Sequence, residues 1–135
     1  IIGMGRIGVD LNANEVNSRN VVTMGAYDFP GYNVASRGYM LVAGLARDVK
    51  VNWGPIKEIT LYNDYSYLIK DESSFSNSQQ NVTGFSFALN RWFVYVDYAI
   101  GKNHPYFGPA FTNGLASGGS SEWETRFNIN FGYYF

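Results

Sequence analysis

Apolar and polar residues alternate one for one along most of the chain, the period of a strand with two unlike faces and not of a helix. The clearest run is C-terminal. There Trp123, Thr125, Phe127, Ile129, Phe131, Tyr133 and Phe135 share one face, and Glu124, Arg126, Asn128, Asn130, Gly132 and Tyr134 the other. "RWFVYVDYAIG" sets Trp92, Val94, Val96, Tyr98 and Ile100 against Phe93, Tyr95, Asp97, Ala99 and Gly101. "NVTGFSFAL" sets Phe85, Phe87 and Leu89 against Gly84, Ser86 and Ala88. "EITLYNDYSY" sets Ile59, Leu61, Tyr65 and Tyr67 against Glu58, Thr60, Tyr62, Asp64 and Ser66, with Asn63 out of place and a bulge expected there. In "GYMLVAGLARDVKVNW" the apolar row is Tyr39, Leu41, Ala43, Leu45, Val49, Val51 and Trp53, with Arg47 as the misfit. Nearer the N-terminus, Ile7, Val9 and Leu11 oppose Arg6, Gly8, Asp10 and Asn12, and "NVVTMGAYDF" gives a weaker strand.

These runs predict seven strands. Their links alternate in length. Tight turns are expected at Asn90–Arg91 and within "NWGPI", residues 52–56. Longer links fall at 28–37, 69–78 and 102–121. No fixed-period repeat, low-complexity tract or inter-domain linker interrupts the 135 residues, so one domain is expected.

Composition narrows the reading. Charged residues make up 16% of the chain, against roughly 25% in an ordinary soluble domain, while aromatics reach 18%. The formal net charge of −1 leaves no electrostatic footprint for nucleic acid. Cysteine is absent, which excludes disulfides and thiolate metal sites. No apolar run is long enough for a transmembrane helix. The opening "IIGMGRIGVD" has neither an initiator Met nor a charged leader region, and reads as a processed chain or a fragment.

Two architectures fit such faces. In a soluble sandwich or small barrel the apolar face is the core. In an antiparallel up-and-down transmembrane β-barrel it meets lipid, and the polar face lines the lumen. The second accounts for three features. Aromatics sit near strand ends on the apolar face, as at Trp53, Trp92, Trp123, Tyr39, Tyr67, Tyr98 and Tyr133. Charges sit within strands on the other face. Short turns alternate with long loops. The expected pore lining is Arg6, Asp10, Asp48, Lys50, Glu58, Asp64, Asp97, Glu124 and Arg126, three cations against six anions.

"RFNINFGYYF" resembles the C-terminal strand of bacterial outer-membrane barrels, with its alternation, a Gly near the end and a terminal Phe. The resemblance implies that the barrel-assembly machinery reads Ile129, Phe131, Gly132, Tyr133 and Phe135. The wider span from "WGPIKEITLYNDYSYL" through "VYVDYAIGKNHPYFGP" is similar to the C-terminal part of porins, loosely those grouped as phosphate-selective. It implies an outer-membrane channel for small polar or charged solutes, in contact with lipid and lipopolysaccharide, and admits a homotrimer. The acidic surplus on the lining face runs against phosphate selectivity. A periplasmic C-terminus and seven strands would put residue 1 on the extracellular side. Such barrels have even strand numbers, so further strands are expected upstream, in a pore of about 12–18 strands.

Candidate chemistry is sparse. His104 is the only histidine, in a long loop, and gives neither a metal cluster nor a nucleophilic triad. "GLASGGSS" lacks the Lys and helix of a phosphate loop and reads as loop. No enzyme, cofactor or metal is expected. The rival readings are a filled structural or adhesin-type barrel and a soluble β-barrel ligand binder. The latter expects Phe127, Ile129, Phe131 and Tyr133 to be buried.

Overall fold

The computed structural model describes residues 2–8, 20–25 and 31–135. Among them the protein is all-β and antiparallel, without helices. The strands are β1 (Ile2–Gly8), β2 (Val21–Met24), β3 (Tyr32–Ala35), β4 (Arg37–Trp53), β5 (Ile56–Lys70), β6 (Ser78–Leu89), β7 (Trp92–Lys102) and β8 (Glu124–Tyr133). Six of them form one sheet in the order β1-β4-β5-β6-β7-β8, and β2 pairs with β3 in a separate hairpin. Each strand of the large sheet neighbours the next one in the chain, apart from the hairpin inserted between β1 and β4. Ring closure between β1 and β8 is not seen among the described residues.

Turn chemistry sets the short links. Gly54, at φ +60°, precedes Pro55 between β4 and β5, and Asn90, at φ 56°, turns β6 into β7. Glycine and asparagine are the residues that tolerate this left-handed backbone. The opposite edge of the sheet carries the long links, between Lys70 and Ser78 and between Lys102 and Glu124.

The pairing defines two faces. One holds Tyr39, Leu41 and Leu45, then Leu61, Phe85, Val96 and Ile129, then Phe87, Val94 and Phe131. The other holds Lys50 and Glu58, then Asp48, Thr60, Ser86, Tyr95 and Asn130, then Ala46, Tyr62, Gly84, Asp97 and Asn128, then Gly44, Asp64, Val82, Ala99 and Arg126. The first face is open: Leu45 is 76% exposed, Phe131 67% and Phe127 62%. Burial concentrates on the second face at its long-loop end, around Leu68, Lys70, Ser78, Ala99, Pro105, Phe107 and Ala116.

Three expectations change. The hairpin adds β3, which was read as part of a link, and takes β2 out of the large sheet. That sheet therefore has six strands in place of a simple run of seven, and β1 starts towards the short-turn edge, opposite the direction expected. The register aligns Arg6 with Tyr39, so position 6 belongs to the apolar row, while Gly3, Gly5 and Ile7 align with Val42, Met40 and Gly38 of the polar row. A one-residue slip exchanges faces throughout a strand. The bulge expected at Asn63 is absent: Asn63 pairs in step with Leu45 and Thr83. Its amide donates to Thr83 Oγ1 at 2.7 Å and to Asn81 Oδ1 at 3.0 Å, which satisfies a polar side chain on an otherwise apolar row.

Candidate functional site

The polar face gathers most of the charged side chains of the described sheet. Asp48, Lys50, Glu58, Asp64, Asp97, Glu124 and Arg126 all occupy its rows, as expected. Arg6 lies in the other row, and Asp10 falls outside the described residues. Thr60 Oγ1 donates to Asp48 Oδ1 at 2.7 Å, and Lys50 stands opposite Glu58. The Tyr62 hydroxyl donates to Asp97 Oδ1 across Gly84. Gly84 is required there, because a Cβ would come within 2.7 Å of both Tyr62 Cζ and Asp97 Oδ1. Tyr62 meets Tyr95 edge-on at 6.4 Å, and Tyr95 meets Phe93 at 4.8 Å, so aromatic rings line the face beside its acids.

The segment 103–121, within the long link expected at 102–121, folds back over this face. Three anchors hold it. Lys70, only 6% exposed, donates to the carbonyls of Ser76 (2.6 Å), Gly114 (3.1 Å) and Ala116. An ammonium has three hydrogens, and each finds a carbonyl, which is what makes its burial tolerable. Ser78 Oγ also donates to Gly114 O, at 2.8 Å. Asn103, at φ 52°, closes the base: its Oδ1 accepts from the backbone N–H of Gly119 (2.7 Å) and Ser121 (3.2 Å), and its Nδ2 donates to Asn77 O (2.8 Å). The β2–β3 hairpin is the third anchor. Asn33 N–H donates to Thr112 O and Ala35 N–H to Leu115 O, at 2.7 and 2.8 Å.

The cap lies close on the strands beneath. A Cβ on Gly101 would meet the Phe107 ring at 3.3 Å, and one on Gly108 would strike the Glu124 side chain at 2.7 Å. Two hollows remain. One, of about 420 Å³, is lined by Met24, Tyr32, Met40, Leu68, His104 and Leu115 among others and is mainly apolar. Burial pushes the His104 imidazole down to about 4, so it is neutral at neutral pH. The other, of about 350 Å³, opens between the cap and β6–β8; Asp97, Arg126, Asn128, Asn130 and Gln80 line it with Val82, Ala99, Tyr106 and Phe107.

Lys70, Gln80, Tyr106 and Phe107 were not singled out by sequence. Gln80 lies outside the alternating runs, at the start of a strand, and Tyr106 and Phe107 sit in a segment read as loop. An available signal was the apolar content of that segment: Pro105, Phe107, Phe111 and Leu115 are more than a solvated loop requires.

The assembly-signal residues are on β8 and just past it. Ile129, Phe131 and Tyr133 occupy the exposed apolar row, Gly132 faces Phe93, and Phe135 is fully exposed. No group of three or more His, Cys, Asp or Glu placed to hold a metal occurs among the described residues. Among those residues, no helix is long and apolar enough to cross a membrane, a test that does not bear on strands. Comparison with protein-family models, curated proteins and solved structures gives no match.

Proposed function

We propose that the chain forms part of the wall of a bacterial outer-membrane β-barrel, a porin through which small polar solutes diffuse. One observation carries the reading. A mostly apolar face, interrupted by Arg47 and Asn63 and with Val94 buried, is otherwise largely exposed from Leu45 to Phe127 and Phe131, while the charged face is turned towards an inward-folded cap. A soluble ligand binder would bury Phe127, Ile129, Phe131 and Tyr133, and all four are exposed. On this reading those residues face lipid, Trp92 and Tyr133 anchor the short-turn rim, and Tyr39 and Trp123 the other. Asp48, Lys50, Glu58, Asp64, Asp97, Glu124 and Arg126 face water, and pore width together with this charge ring sets selectivity. The barrel-assembly machinery would recognise β8 through Phe131, Tyr133 and Phe135.

The test is reconstitution of the full-length protein in planar bilayers and in vesicles of bromine-labelled lipid. Stepwise conductance is expected, with quenching of Trp92 fluorescence. Absence of both would overturn the assignment. The cap favours a second reading, a filled barrel serving as an anchor or adhesin. That reading expects quenching without conductance.

A further inference from the structure

We propose that the hollow between the cap and strands β6–β8 is a binding site for a small neutral saccharide, which rests on the porin reading and names the solute class its polar face takes. The argument begins with charge. Among the described residues, Asp97 and Arg126 are the only formally charged side chains lining the hollow, and they cancel. A free anion meets the Asp97 carboxylate, and a free cation meets the Arg126 guanidinium, so neither is favoured.

Hydrogen-bonding capacity points further. Gln80, Asn128 and Asn130 each bring an amide that both donates and accepts, Arg126 only donates and Asp97 only accepts. Phosphate is acceptor-rich and ammonium donor-only, so each would leave part of this lining without partners. Ring hydroxyls donate and accept at the same atom, and adjacent hydroxyls on one ring satisfy a mixed lining. The groups are also held in place. Arg126 Nε donates to Asn128 Oδ1 at 3.1 Å, and Asp97 Oδ1 accepts the Tyr62 hydroxyl. Pre-set donors and acceptors lower the ordering cost of binding.

The remaining surface suits the C–H faces of a sugar ring. Val82 and Ala99 form a small apolar floor, and the cap supplies Tyr106 and Phe107 above it. Tyr106 is fixed edge-on between Tyr32 (6.4 Å) and Phe111 (5.9 Å), yet stays 43% exposed. The volume of about 350 Å³ lies at the lower end of small-molecule sites, about 300–1,000 Å³.

The experiment is calorimetric titration of the folded full-length protein in detergent with maltose, and separately with inorganic phosphate. Saturable maltose binding is expected, weakened about tenfold or more by Asn128→Ala and by Tyr106→Ala and unchanged by Lys57→Ala, which lies outside the hollow. Retention of strand signal in circular dichroism shows each variant folded. No saturable maltose heat, maltose binding untouched by both cap and strand variants, or phosphate competing as well as maltose would each overturn the proposal. Binding is read without a membrane, so a protein that binds maltose but conducts nothing refutes the channel alone. One that conducts but ignores maltose refutes the saccharide site alone.

Discussion

Lys70 and Gly114 lie 44 positions apart in the chain, and the Lys70 ammonium donates to the Gly114 carbonyl at 3.1 Å in a buried setting. This contact, with those to Ser76 and Ala116, turns a long link into a lid on the charged face. Lys70→Met keeps the length and removes the donors, taking the ammonium from the Ser76 and Ala116 carbonyls and leaving the Gly114 carbonyl to Ser78 Oγ. Hydrogen bonds to a charged group contribute about 1.5–3 kcal/mol each when deleted singly. The expected result is selective loosening of residues 103–121, seen as faster amide exchange there while β4–β7 stay protected. Unchanged exchange in the cap would show that the hairpin contacts alone suffice.

A charge on the open face should be costly and one on the other face cheap. Ile129→Arg, midway along β8 between the rims marked by Tyr133 and Trp123, is expected to cost about 2–4 kcal/mol of folding stability in vesicles, the penalty for Arg near a bilayer midplane. Glu58→Arg, on the polar face and exposed, should cost no more than about 1 kcal/mol, the repulsion from Lys50 opposite included. Urea titrations in lipid read both. Equal costs would contradict the assignment of faces.

Gly84→Ala tests the closest packing on the polar face. Its Cβ would displace the Tyr62 ring or the Val96 carbonyl, both within 2.7 Å. A loss of about 1–3 kcal/mol is expected, as for other insertions into filled space. Gly84→Ala combined with Tyr62→Phe should restore little, because the backbone contact with Val96 remains.

Acid should loosen the cap through His104. Burial lowers its pKa from 6.5 to about 4. The unfolded segment therefore binds more protons between those values, and stability rises with pH across that window. The stabilisation is complete above about 6.5 and is lost as pH falls towards 4. Protease cleavage within 103–121 should accelerate over that range in the wild type and less in His104→Gln.

The strands were legible in the sequence because a two-sided sheet writes its faces into alternate residues. Between Tyr39 and Tyr133 the runs kept the faces that alternation assigned except at the end of β4, where a bulge after Lys50 pairs Trp53 with Ile56 of the polar row, and the turns fell at Gly54 and Asn90 as expected. Alternation failed where it was thin. Near Ile2–Gly8 glycine fills every second or third position, so the pattern gives no register, and pairing with β4 put Arg6 in the row of Tyr39. The cap was illegible for another reason. Its position depends on a lysine that accepts burial only because three carbonyls, two of them 44 and 46 positions away, converge on it, and no local pattern records such convergence. The Asn63 misfit has the same origin, since its partners Asn81 and Thr83 belong to another strand.

The hairpin, the cap and Lys70 together impose an order of events. Asn33 and Asn113 are joined at 2.8 Å across 80 positions, and Lys70 reaches Ala116 across 46. Contacts so far apart gain nothing until the intervening strands have closed the distance. The sheet must therefore be in register before the lid can settle. Until it does, the nascent sheet presents its polar surface uncovered, and seating of residues 103–121 follows the pairing of the strands it rests on.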